Sequence, residues 1–237
     1  MRLSFQATLI GVVFAAGVGT LATEIAASRL LAPYFGNSTI VWANVIGLTL
    51  ASLAVGYWLG GRLADRYPTP RALGLIVAAA ACLVAVATLL ARPILDFSVE
   101  GLDRVSAGAA IGSFFGVLIL FVPPVTLLGM VAPFAIRLAI QDVESVGTVA
   151  GRLYAVSTVG SLLGTFLAAL VAIPAIGTQR TLLAAAALIG ASGAVLLGRR
   201  WTLLAAGLAA LLLIPPGAVK GQSGVIFEDE SRYQFIQ

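Results

Sequence analysis

Apolar residues run along this chain in stretches of about twenty, punctuated by short groups of charged residues, prolines and glycines. A helix that crosses a bilayer needs roughly 20 mostly apolar residues. Seven stretches meet that description, over 6–31, 39–60, 71–91, 107–139, 150–175, 180–198 and 201–216. The pattern predicts an all-α, polytopic transmembrane bundle of about seven spans over 1–216, followed by a polar segment over 217–237. The first run is too long for a signal-peptide core and has no convincing small-residue cleavage site before Glu24, so it reads as a retained helix. The fourth carries Pro123-Pro124, Gly129 and Pro133, which predicts a kinked or broken helix that is buried in protein or lines a cavity. The seventh is short and ends in Pro215-Pro216. It either completes a crossing or lies in the interface.

Composition narrows the class. Of 237 residues, 60% are hydrophobic and 10% charged, against roughly 45–50% and about 25% in soluble domains, and the mean hydropathy is +1.05. The expected partner is therefore the lipid bilayer. The net charge of +4 comes from basic residues scattered singly or in pairs between apolar runs, which suits loop anchors rather than nucleic acid. Histidine is absent and Cys82 is the single cysteine. His-based acid–base chemistry, thiol metal sites and disulfides are excluded, and no catalytic residue, metal or cofactor is expected. With the amino terminus inside, the cytoplasmic segments hold eight arginines (2, 62, 66, 71, 137, 152, 199 and 200), against Arg92, Arg104, Arg180, Lys220 and Arg232 opposite. The bias predicts a cytoplasmic amino terminus, and seven crossings would place the carboxyl terminus outside.

Charged groups within spans are functional candidates by default, and Glu24 is the clearest. Ser28, four residues on, shares its face; Arg29, five on, lies about 140° away and suits snorkelling to the interface. A partner for Glu24 must come from another helix, and Asn44 and Thr49 of the second span are the polar candidates in sequence. Glu24 is thus either a carboxyl held by helix–helix hydrogen bonds or a proton or cation site. Small-xxx-small spacings at Gly56/Gly60, Gly112/Gly116 and Gly160/Gly164 mark candidate close helix contacts.

The loop Gly61-Arg62-Leu63-Ala64-Asp65-Arg66, followed by Arg71, resembles the G-x-L-A-D-R-x-G-R loop of major facilitator transporters, with Pro68 in place of the second glycine. The resemblance implies a gating role for Asp65 and Arg66, with Arg137 or Arg152 as the base that pairs with Asp65. The alternative is a basic loop that only fixes topology.

Larger segments resemble the membrane region of bacterial spermidine-synthase-like proteins, which join a facilitator-like half to an aminopropyltransferase. They are Glu24 to Gly36, Gly56 to Asp65, and Gly151 to Gly164 with Ile173-Pro174-Ala175-Ile176-Gly177. The tail, Glu230-Ser231-Arg232-Tyr233-Gln234-Phe235-Ile236, is similar to the opening hairpin of the aminopropyltransferase fold, and the resemblance implies that Gln234 belongs to its donor and amine site. The glycine-rich nucleotide turn and the acidic amine pocket of that fold do not occur in this sequence. The resemblance therefore implies a membrane domain at a bacterial plasma membrane, with polyamine or decarboxylated S-adenosylmethionine reached through a domain that would follow. Two functions remain open. The domain anchors or feeds such a synthase-like domain, or it is a transporter-like module, possible as a homodimer, moving a polyamine or other small cation through a cavity lined by Glu24, Asn44, Tyr57 and the broken fourth helix.

Overall fold

The computed structural model describes residues 2–100, 108–140 and 142–213, with two short backbone segments at 229–230 and 235–236. Helices dominate: α1 (Arg2–Phe35), α2 (Thr39–Arg66), α3 (Pro70–Glu100), α4 (Gly108–Leu120), α5 (Val122–Gly129), α6 (Val131–Ala139), α7 (Val146–Leu167), α8 (Ile173–Leu197) and α9 (Thr202–Ala210). Five helical stretches are long and apolar enough to cross a membrane: Phe5–Phe35, Thr39–Arg66, Pro70–Val99, Val122–Ala139 and Val146–Leu197. The last is 52 residues long and is not one rod. At Gly177 the backbone takes φ 81° and ψ 165°, a conformation that a side chain would strain, and the chain reverses there. Gly198, at φ 91°, closes the returning arm in the same way.

The proline-rich fourth region is kinked rather than severed. Bonds from Phe121 N–H to Val117 O (2.9 Å), Val125 N–H to Phe121 O (3.0 Å) and Phe134 N–H to Met130 O (3.2 Å) carry α4, α5 and α6 through their two junctions. At the start of α2, Ser38 Oγ accepts from Val41 N–H at 3.3 Å, the usual way to satisfy an orphan donor of a first turn.

Glycine contacts fix the mutual directions of the rods. Gly160 meets Phe14 and Gly164 meets Val18, so α7 runs parallel to α1; Gly56 meets Thr126 and Gly129, and Gly60 meets Met130, so α2 runs parallel to α5 and α6. Gly74 meets Leu197 while Gly193 meets Val77, so α3 and α8 are antiparallel. Gly112 and Gly116 seat the Phe35 ring and Leu95. All three spacings picked out in the sequence are thus points of close approach, as small residues permit where no hydrophobic drive operates between helices. The chain passes up and down through α1, α2, α3, the α4–α6 unit, α7 and the part of α8 beyond Gly177. Leu197 ends beside Gly74, at the end of the bundle that holds Asp65.

The expectation of a seventh crossing over 201–216 is not met by the residues described there. Helix α9 and the tighter turn Leu211–Leu213 extend about 20 Å at helical rise, short of the roughly 30 Å hydrocarbon thickness. They fold back along α8, with Leu208 against Gly190. In the tail, Asp229 pairs with Ile236 and Glu230 with Phe235 in an antiparallel two-residue ladder, where the sequence predicts a strand start. The core is built by Leu9, Leu30 and Leu31 of α1, Leu73 and Leu95 of α3, Phe121 and Phe134 of the kinked unit, and Leu182 and Ile189 of α8, all at most 2% exposed. The outward faces are apolar too: Ile46, Leu50 and Trp58 of α2 and Val159, Leu162 and Phe166 of α7 are exposed. Such faces are compatible with lipid.

Candidate functional site

Helix α2 carries polar groups at three levels, and each level meets a different neighbour. Toward its start, Asn44 Nδ2 donates to Ala110 O and to Ser113 Oγ of α4, both at 2.8 Å. One turn further, Thr49 Oγ1 lies 2.9 Å from Glu24 Oε1 of α1. At the far end, Arg137 Nε of α6 donates to Asp65 Oδ1 at 3.0 Å.

Glu24 therefore finds its partner across the α1–α2 joint, and of the two residues that the sequence offered it is Thr49. Asn44 is five residues away from Thr49, about 140° around the helix, and faces α4 instead. Thr49 itself is 1% exposed. Its hydroxyl also sits 2.8 Å from Val45 O and 3.0 Å from Ile46 O in its own helix, the back-bonding usual for a threonine within a helix.

Asp65 likewise had two candidate bases, and the structure joins it to Arg137, while Arg152 is exposed at the start of α7. The pair is open to solvent, with the two side chains 74% and 47% exposed, which limits a single ion pair to about 0–1 kcal/mol. Its neighbours are held by rings rather than by acids: the Arg62 guanidinium lies 4.4 Å from the Trp58 ring centre and that of Arg66 5.5 Å from the Tyr67 ring. Arg29 is partly buried near the other end of α1. Arg180, predicted in a loop, instead occupies the first turn of α8 after Gly177, and its Nε is buried with no hydrogen-bond partner among the described residues. Gln234 lies outside the described residues.

A cavity of about 190 Å³ opens between α1, α2, the α5–α6 junction and α7. Its walls come from Gly17, Thr20 and Leu21 of α1, Leu53 and Tyr57 of α2, and Leu128, Gly129, Val131 and Ala132 of the kinked unit. Helix α7 completes it with Tyr154, Ser157, Thr158 and Ser161. Tyr57 and the kinked helix line it as expected, but Glu24 and Asn44 do not. For Glu24 the reason is axial: it shares the face of Thr20 and Leu21 but stands one turn further along α1, against Thr49 of α2, and Asn44 is tied to α4.

Sequence reading missed the α7 contribution. The signal was there, since 154, 157, 158 and 161 follow the i, i+3, i+4, i+7 spacing of one helix face. Thr20 donates to Ala16 O at 2.7 Å, Thr158 to Tyr154 O at 2.9 Å and Ser161 to Gly17 O at 3.4 Å. With those protons committed to backbone, these lining hydroxyls are left with their oxygen lone pairs as acceptors. No group of three or more His, Cys, Asp or Glu among the described residues is placed to hold a metal ion. Set against models of known families, curated proteins and solved structures, the chain matches none.

Proposed function

We propose that this chain is a membrane-embedded domain that takes a small amine-bearing molecule into the cavity between α1, α2, the α5–α6 junction and α7, and that it serves a spermidine-synthase-like domain as its anchor and feeder. The observation that carries the reading is the cavity lining. Thr20, Thr158 and Ser161, their hydroxyl protons committed to backbone, line it together with Tyr57 and Tyr154, and hydroxyl acceptors with aromatic side chains suit an ammonium group. At about 190 Å³ the space falls below the roughly 300–1,000 Å³ of pockets for drug-sized ligands, which restricts the occupant to a small molecule.

The arginine distribution supports a cytoplasmic placement of the Asp65 end. Arg62, Arg66, Arg71, Arg137, Arg152, Arg199 and Arg200 gather there, against Arg29, Arg92 and Arg180 toward the other end. Helix α8 returns to the Asp65 end, so a chain that did not cross again would enter a following domain on the cytoplasmic side, where a nucleoside donor is found. The count of rods favours a second reading as well. Facilitators use two six-helix halves around a central site, and α1 to α8 supply as many passes as one half, so a homodimer of this chain is the form that would transport.

The test is thermal unfolding of the full chain in detergent with millimolar putrescine or spermidine. Ligand at a hundred times its Kd stabilises by about 2.7 kcal/mol, so a rise in Tm of several degrees is expected in the wild type and its loss in Ser157→Leu, which fills the cavity. No rise with any amine, or an equal rise in Ser157→Leu, overturns the reading.

A further inference from the structure

We propose that Glu24 and Thr49 form a proton-binding site at the α1–α2 joint. Thr49 has one hydroxyl proton and three oxygen neighbours: Glu24 Oε1 at 2.9 Å, Val45 O at 2.8 Å and Ile46 O at 3.0 Å. The last two are carbonyls of its own helix, either of which can take that proton in the back-bonded arrangement. In the structure Thr49 donates to Glu24 Oε1. When the carboxyl takes up a proton the direction reverses: Glu24 donates Oε–H to Thr49 Oγ1, and Thr49 donates its own hydrogen to Val45 O. On release the carboxyl proton leaves, and the Thr49 hydrogen swings from Val45 O to the carboxylate. The two states differ by one proton, which passes to the aqueous phase on release, and by the one negative charge it leaves on Glu24, and the switch itself needs only a rotation about the Thr49 Cβ–Oγ bond.

The surroundings favour a proton over a metal or an organic cation. Among the described residues Glu24 has one hydrogen-bonding side chain, a hydroxyl, and belongs to no group of three or more His, Cys, Asp or Glu, whereas hard cations take six to eight oxygen ligands. The neighbouring elements carry no charge at this level: α2 over 39–56, α4 over 108–120 and α7 with its continuation over 157–172 contain no Asp, Glu, Lys or Arg. Among the described residues the charged groups toward this end are Arg29 on α1, Arg180 on the first turn of α8 and the Arg92–Asp96 pair of α3, at 3.9 Å. The site lies one turn, about 6 Å, beyond the Thr20–Leu21 wall of the cavity. It does not depend on what the cavity binds.

Infrared spectra of the full chain in lipid films near neutral pH, without any amine, test the assignment. The wild type should show the C=O stretch of a protonated carboxyl, lost in Glu24→Gln. In Thr49→Val the band should move to higher frequency as its hydrogen bond disappears, and in Thr49→Ser it should return. Coinciding wild-type and Glu24→Gln spectra, a band unmoved by Thr49→Val, or a band abolished by sodium at constant pH would each overturn the proposal. If Glu24→Gln does not fold, the Thr49→Val and Thr49→Ser pair carries the test. Because no amine is present, failure of the cavity reading leaves these outcomes unchanged.

Discussion

The two ends of α2 attach to their neighbours by polar pairs of similar length and opposite character. Thr49 meets Glu24 at 2.9 Å where Thr49 is 1% exposed, whereas Asp65 meets Arg137 at 3.0 Å with Asp65 74% exposed. Formal charge favours the second pair, yet environment favours the first. In water an ion pair exchanges good hydration for a modest Coulomb gain. Within a bundle a polar group deprived of its partner has nothing to replace it. Between the two ends, α2 is held by shape alone, where Gly56 and Gly60 admit the α5–α6 backbone.

Substitutions at three levels of α2 sharpen that contrast, and the shape-held middle should be the most sensitive. A Cβ at Gly60 would fall 2.6 Å from Met130 Cα, and one at Gly56 would press on the Thr126 carbonyl. Backbone cannot yield as a side chain does, so Gly56→Leu should cost at least the 1–3 kcal/mol typical of overpacking. Detergent-solubilised Gly56→Leu is expected to lose a cooperative unfolding transition or show a strongly lowered Tm. A near wild-type Tm would mean that α2 does not pack on α5 and α6 as described.

At the buried end, Thr49→Val keeps shape and removes the hydroxyl, leaving Glu24 without its partner. A loss of about 1–2 kcal/mol is expected, within the range for an unsatisfied buried polar group and at the upper end of interhelical hydrogen bonds in membranes. A double-mutant cycle with Glu24→Gln separates the pair from the solitary groups. A coupling energy of zero would show that the contact contributes nothing.

The exposed end should respond least. Asp65→Asn and Arg137→Gln are each expected to change stability by about 0–1 kcal/mol, and the wild-type contribution should shrink further in high salt, where screening shortens to a few ångströms. Equal losses at the two ends of α2, measured by the same chemical denaturation in lipid nanodiscs, would refute the contrast.

Much of this architecture was legible in the chain before any coordinates. The boundaries near 36, 67 and 177 coincide with Gly36, Tyr67 and Gly177, where helices end or turn, because charges, prolines and glycines mark where an apolar helix must stop. The small-residue spacings pointed to real contacts because only small side chains let backbones approach. The α7 hydroxyl face was written at helical spacing as well, but hydroxyls within apolar helices usually satisfy themselves on their own backbone, and nothing local says that several of them will share a cavity.

What the sequence alone determined is what one helix can know about itself: its length, its apolar surface, its breakpoints, the small notches along it, and that a carboxyl such as Glu24 would need a partner. Which partner it took was decided only by tertiary structure. Asn44 and Thr49 both stood on α2, and Arg137 and Arg152 both stood near Asp65; a rotation of α2 or of α7 about its own axis would exchange these choices without altering any residue's local preference. The rotation is set by the glycine contacts, each of which joins segments far apart in the chain, as Gly56 does with Gly129 and Gly164 with Val18. They also seat α9 on α8, with Leu208 against Gly190, a choice of neighbour that hydropathy alone does not make, since apolar surface is equally satisfied by lipid and by a neighbouring helix.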